Sequence, residues 1–281
     1  MSLSITSKLP LNDGRAIPLF GLGTFLSEAG NPTRDAVLWA LEAGYRHIDT
    51  ARIYGNEEDV GTAIRESGLP RSQVYVTTKV WNDDQGYDAT LRACDESLKR
   101  LGIDYVDLYL IHWPVPDLRN ETWKALVELQ RAGKATSIGV SNFMIKHLEE
   151  LLATTDIVPS VNQIETSPFI QRKELVAYCQ EKGIVVESYS TLGRGQRTGD
   201  KRLAKVGEPY GKTPAQVALR WAIQSDMVVI PKSVHKDRIL ENAAIFDFEL
   251  TDADMKTIAG FDENASVTPP SWDPETSDKW R

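Results

Sequence analysis

Three short apolar runs end in groups that can handle protons. HID (47–49) closes on Asp49, VYVTTK (74–79) closes on Lys79, and VDLYLI (106–111) runs into His112. Tyr54 follows Asp49 by five residues, a spacing that puts the two on no common helical face. Taken singly, these are a salt-bridging aspartate, a packing tyrosine and a core histidine. As a set they compose a proton donor. A free tyrosine, with a pKa near ~10, is a poor acid at neutral pH. A cation beside it stabilises the phenolate, and a carboxylate keeps that cation charged, so the set predicts a lowered phenol pKa for Tyr54. A histidine opposite would donate a hydrogen bond to a carbonyl oxygen, and the pair would protonate an oxygen on which charge develops. No activated serine or cysteine nucleophile accompanies them, and His47, His112, His147 and His235 show no metal-ligand spacing. A proton donor without a nucleophile implies a hydride brought by a cofactor.

The elements that would hold such a set follow a regular beat. Strands read at 20–23, 45–49, 74–79, 106–111, 136–140, 161–165, 185–190 and 228–231, most starting about 24–32 residues apart, close to one βα unit each. Between them the pattern predicts helices over 87–101, with Tyr87, Leu91, Cys94, Leu98 and Leu101 on one face, and over 120–132, with Trp123, Leu126 and Leu129 inward. Gly102 and Gly133 close them. Asn12-Asp13-Gly14 between short apolar runs reads as a hairpin. These elements point to an α/β protein, a (β/α)8 TIM barrel with an N-terminal β-hairpin. A doubly wound sheet would begin with G-x-G-x-x-G, but Gly21-Leu22-Gly23 continues Thr24-Phe25-Leu26 and lacks the third glycine. On a barrel the C-terminal strand ends share one mouth, which gathers Asp49, Lys79, His112, Asn142, Gln163 and Tyr189.

Composition narrows the partners. The 281 residues are 41% hydrophobic and 26% charged, with no linker or low-complexity break, so one domain over 1–281 is expected. A net charge of −8 argues against nucleic acid or a polybasic membrane contact. MSLSITSKLP lacks the apolar segment of a signal peptide, and no run approaches the ~18 apolar residues of a membrane span. Cys94 and Cys179, 85 residues apart, form no disulfide framework and read as buried thiols in a reducing, cytoplasmic protein.

The segments GYRHIDTARIYGNEEDVG (44–61), KVW (79–81), LYLIHWP (108–114), GVSNF (139–143), VNQIE (161–165) and IPKSVHKDRILENAAI (230–245) resemble the aldo-keto reductases in order and spacing along essentially the whole chain. The resemblance is nearest to short microbial and protozoal members, of the diketogluconate reductase and trypanosomatid prostaglandin F synthase types. It implies NADPH-dependent reduction of small aldehydes and ketones by a monomer. Asp49, Tyr54, Lys79 and His112 fall on the family's catalytic tetrad, with Tyr54 as general acid. By the same resemblance Ser141, Asn142 and Gln163 hold the nicotinamide carboxamide and Tyr189 stacks on its ring. Lys232, Ser233, Val234, Arg238, Glu241 and Asn242 take the adenosine 2′-phosphate and adenine, supplying the local basic cluster that the whole-chain charge leaves out. Gly195 and its neighbours, with Ser190 and Leu192, cover the pyrophosphate, and Gly23, Thr24 and Asp49 complete the cofactor contacts. Trp81 and Trp113 join Tyr54 and His112 as the substrate wall. No metal is implied.

Departures from the family pattern fall near the substrate. Thr166-Ser167 replaces the Tyr-His that follows NQIE in many relatives, Arg52 stands where small residues are common, the loop WPVPDLRN is short, and the tail SVTPPSWDPETSDKWR has no counterpart. Trp272 either lines the wall or packs the tail. The alternative reading is a cofactor-binding regulatory or structural barrel with little turnover. A hydrolase with paired carboxylates leaves IPKSVHKDR without a purpose.

Overall fold

A computed structural model describes residues 3–280. The chain starts with an antiparallel hairpin, β1 (Lys8–Pro10) and β2 (Ala16–Pro18), paired from Lys8–Pro18 to Pro10–Ala16. Gly14 turns it at φ 83°, a conformation that costs glycine nothing. Eight parallel strands follow: β3 (Leu22–Gly23), β4 (His47–Asp49), β5 (Tyr75–Val80), β6 (Val106–Ile111), β7 (Ala135–Ser141), β8 (Val161–Glu165), β9 (Val185–Tyr189) and β10 (Val228–Val229). Each pairs with the next, and bridges from Phe20 to Val229 and from Gly23 to Lys232 join the last to the first. Gly23 is required at this seam, because a Cβ there would lie 2.8 Å from the Ile230 carbonyl oxygen. The result is a closed (β/α)8 barrel above a hairpin.

Among the described residues ten α-helices wrap the strands: α1 (Asn31–Glu42), α2 (Glu57–Glu66), α3 (Tyr87–Leu101), α4 (Arg119–Arg131), α5 (Ile145–Leu152), α6 (Lys173–Glu181), α7 (Lys201–Gly207), α8 (Pro214–Gln224), α9 (Lys236–Ala243) and α10 (Asp252–Ala259). The 87–101 expectation matches α3 end to end, and Gly102 closes it at φ 65°. Its buried stripe is shifted, however. Ala93, Cys94, Leu98 and Leu101 face in while Tyr87 is 40% exposed, because its place in the first turn carries it past the barrel wall. Cys94 and Cys179 are both buried free thiols.

Two cores result. One fills the space between helices and strands; the other, inside the barrel, joins Leu11 and Ile17 of the hairpin region to Leu108, Leu110, Val161 and Val228. Burying a side chain of this size contributes about 1.5–3 kcal/mol, so Leu11 and Ile17 hold the hairpin as a plug in the barrel floor. The strand period of two then sets polar groups above apolar ones. Val161 is followed on its face by Gln163 and Val185 by Glu187. This polar storey supports the site.

Candidate active site

The Lys79 ammonium organises the barrel mouth. Its Nζ donates at 2.8 Å to each Asp49 oxygen and to the Thr50 carbonyl, and lies 3.5 Å from the Tyr54 hydroxyl. Lys79 is fully buried and Asp49 nearly so. Burial alone would push the ammonium down, but the charge of Asp49, helped by Tyr54 and Glu187, more than offsets it, and Lys79 stays protonated with a raised pKa. Burial is also the largest influence on Asp49 and pushes its carboxyl up against the pull of Lys79 and Gln163.

Tyr54 departs from the expected lowered phenol. Burial outweighs the cation, and the hydroxyl is pushed up to about 12, with Lys79 pulling down and Asp49 and Glu187 pushing further up. The phenol is therefore a fully protonated donor at neutral pH. The His112 ring lies edge-on to Tyr54 with centroids 5.7 Å apart. Its Nδ1 is enclosed without a partner, whereas Nε2 is not. Burial, with Lys79 nearby, holds His112 well below the ordinary imidazole value, so it is neutral and offers an N–H rather than a charge.

The loop that presents Tyr54 is fixed by Asn56, which is fully buried. Asn56 accepts from the Thr50 hydroxyl at 2.8 Å and donates to the Thr24 and Ser27 carbonyls. Residues Arg52–Tyr54 form a single 3-10 turn, and Gly55 at φ 69° redirects the chain into α2. Thr24 donates to the Asp49 carbonyl at 3.0 Å, tying the ends of β3 and β4 together.

Beside this group the strand ends carry a polar ledge. Ser141 donates to the Gln163 carbonyl at 2.8 Å, Asn142 donates to the His112 carbonyl at 3.0 Å, and the Tyr189 hydroxyl donates to Asn142 Oδ1 at 2.7 Å. Asn142 and Ser190 take positive φ, 62° and 53°, which turns the chain sharply at the ends of β7 and β9. Leu192 begins a 3-10 turn over Gly193–Gly195, and Gly195 is exposed with nothing within 4 Å of a would-be Cβ. After β10, Lys232 and Arg238 are exposed and form no ion pair among the described residues, with Arg238 on α9. Ser233 caps a local turn by accepting from the His235 amide, and Val234 is half-buried. Asn242 is buried, and the Glu241 carboxylate accepts from the Thr213 hydroxyl at 2.8 Å.

The sequence profile of the aldo/keto reductase family matches residues 20–263. The chain belongs to that family. Glyoxal reductase of Bacillus subtilis (strain 168) is 48% identical over 96% of this chain and 98% of its own length. The 9,11-endoperoxide prostaglandin H2 reductase of Trypanosoma cruzi (strain CL Brener) is 46% identical over 92% of each chain. Among solved structures, an aldo-keto reductase of Bombyx mori in complex with NADP superposes with a TM-score of 0.90 at 39% identity, over 99% of each chain.

The tail folds back over the mouth. Trp272 stacks on Trp81 with centroids 6.0 Å apart and meets Trp113 edge-on at 5.1 Å, and it also packs on Trp280 of the tail at 5.4 Å, so both alternatives for Trp272 hold at once. Trp113 in turn stacks on Trp280 at 5.0 Å. Phe25 lies 5.1 Å from the Tyr54 ring. Glu165, at the end of β8, straps the tail down by accepting from the Val267 amide at 2.6 Å and the Thr268 hydroxyl at 2.6 Å. None of Phe25, Glu165, Glu187 or Trp280 was singled out from sequence. For Glu165 and Glu187 a signal was present, since each stands two residues from a mouth residue, Gln163 and Tyr189, on the same strand face. Thr166 and Ser167 are buried, and the Thr166 carbonyl accepts from Ser188 at 3.0 Å.

Proposed function

We infer that this protein reduces small aldehydes and ketones to alcohols with NADPH, as a cytoplasmic monomer built of one domain over residues 1–281. The observation that carries the reading is one ammonium, Lys79, shared between a buried carboxylate and the Tyr54 hydroxyl, with His112 Nε2 open beside them. NADPH, when bound, supplies the hydride. Tyr54 gives its phenolic proton to the carbonyl oxygen, Lys79 stabilises the charge left on the phenol oxygen, and Asp49 holds Lys79 charged. His112 aligns the carbonyl through its neutral N–H. Trp81 and Trp113 wall the substrate, and Trp272 extends that wall.

The residues available fit the cofactor. Ser141, Asn142 and Gln163 offer polar groups at the edge of the mouth, Tyr189 a ring, and the 3-10 turn at Gly195 a side-chain-free approach to a pyrophosphate. Ser190 and Leu192 flank that turn, and Gly23 and Thr24 border the same edge. The unpaired Lys232 and Arg238 suit a 2′-phosphate in a chain of net charge −8, with Ser233, Val234, Glu241 and Asn242 beside them. The test is loss of 340 nm absorbance when protein, NADPH and an aromatic aldehyde are mixed, with glyoxal in the panel because a 48% identical relative bears that name. No NADPH consumption across aldehydes and ketones would overturn the reading in favour of a non-catalytic barrel.

Two substitutions separate the roles. Arg238→Ala is expected to weaken NADPH by roughly ten- to a hundredfold and leave NADH nearly untouched, since charge-assisted bonds to phosphate contribute about 1.5–3 kcal/mol. Titration of both cofactors by tryptophan quenching decides, and equal losses would place Arg238 on a merely solvated helix face. His112→Ala is expected to lower kcat/KM about tenfold through loss of one neutral hydrogen bond. NADPH affinity should hold, because Asn142 touches only the His112 backbone carbonyl. A variant defective mainly in NADPH binding would contradict this placement.

A further inference from the structure

Glu187 sits inside the barrel, fully buried, where no solvent or surface cation compensates it. Strand register places it directly beside Gln163, its neighbour across β8 and β9. The two amide hydrogens of Gln163 are both taken: Nε2 donates at 2.8 Å to Asp49 Oδ2 and at 2.7 Å to Glu187 Oε2. The opposite orientation of the amide would set its oxygen against the Asp49 carboxylate, acceptor against acceptor. Two anchors on either side of one nitrogen fix the amide plane as well as its direction. Gln163 Oε1 accepts no hydrogen bond among the described residues, and it is not enclosed.

We propose that Glu187 is a positioning residue for cofactor recognition: with Asp49 it locks Gln163 so that Oε1 faces the mouth as an acceptor for the carboxamide N–H of nicotinamide. The inference rests on the reading that Gln163 meets the nicotinamide. An acceptor locked in place rewards a ring substituent that carries an N–H and penalises one that carries only a carbonyl. Glu187 does this without adding a second charge beside Asp49. Burial, reinforced by Asp49, pushes its carboxyl up to about 8, so it holds a proton at pH 7. Oε2 faces a donor, which leaves the proton to Oε1, 3.5 Å from the Nε2 of His47. Burial and the nearby Lys79 push that imidazole down to about 3, so it is neutral.

The test compares NADP with acetylpyridine adenine dinucleotide phosphate, whose acetyl group keeps the carbonyl and lacks the N–H. The wild-type protein should bind NADP about three- to tenfold more tightly, the value of one hydrogen bond. In Glu187→Met one anchor is lost, the amide plane swings about its remaining bond to Asp49, and the preference should fall towards unity by loss of NADP affinity alone. Glu187→Gln keeps a carbonyl acceptor for Gln163 and should restore the preference. Thermal unfolding checks that each variant is folded, and Glu187→Thr replaces the methionine variant if that one is not. Equal weakening of both nucleotides in Glu187→Met would show a packing role only and overturn the proposal. Gln163→Leu separates the two layers of inference. If it leaves the preference intact, Gln163 does not read the carboxamide and the underlying assignment fails. If it abolishes the preference while Glu187→Met retains it, the positioning role alone is wrong.

Discussion

Tyr54→Phe is expected to lower carbonyl reduction by about 10²–10⁴-fold, the usual contribution of a general acid, with NADPH binding unchanged. The substitution removes one oxygen, 3.5 Å from Lys79 Nζ, and leaves the ring that packs 5.1 Å from Phe25 and 5.7 Å from His112. Any loss is therefore chemical rather than architectural. The upward shift of the phenol to about 12 sharpens the expectation. Below that value Tyr54 is protonated, so the wild-type rate should show no alkaline loss from the phenol itself across neutral and mildly basic pH. The donor is nonetheless weak in the resting protein. Its competence comes from Lys79, whose charge gains most when the proton has left and the oxygen carries the charge. Steady-state kcat/KM with an aromatic aldehyde, beside fluorescence titration of NADPH, measures both quantities. Near-normal turnover in the phenylalanine variant would remove Tyr54 from the reaction.

The barrel was legible because its signals are local. Apolar runs of strand length, helical stripes such as 120–132 and the glycines closing them each depend on neighbours in sequence. The clustering of Asp49, Lys79 and His112 followed from a single topological rule, that strand ends meet at one mouth. What was not legible depended on distance or on burial. The phenol shift turned on how deeply the mouth is enclosed, which spacing does not state. Glu187 in VVESYS shares a strand face with Tyr189, but its complete enclosure becomes visible only when the barrel closes around it. The tail was opaque for another reason: Glu165 meets Val267 and Thr268 across about a hundred residues, and the Trp113–Trp280 stack spans more. Such pairings carry no periodicity.

Lys79→Met should lower kcat/KM by about 10²–10³-fold at every pH, because the variant loses the fixed charge that stabilises the departing phenol proton's oxygen. It should also destabilise the fold, and the dependence on pH identifies the cause. Asp49 loses the one cation it pairs with among the described residues, three hydrogen bonds from Lys79 disappear, and removing one partner of a buried pair costs about 3–5 kcal/mol. A carboxylate left alone in the barrel is pushed further up by burial, the influence already largest on it in the wild type. A folded-state acid raised above its unfolded value of ~3.9 binds more protons folded than unfolded, so stability is lost as pH rises from there through the folded pKa. The penalty relative to wild type should therefore be smallest in acid and grow between pH ~5 and pH ~8. Denaturant unfolding at the two pH values, with kcat/KM measured per folded molecule across the same range, tests both halves. A penalty that does not grow with pH would mean that Asp49 keeps its charge by another route, and near-normal kcat/KM across the pH range would sink the role of Lys79 in stabilising the Tyr54 oxygen.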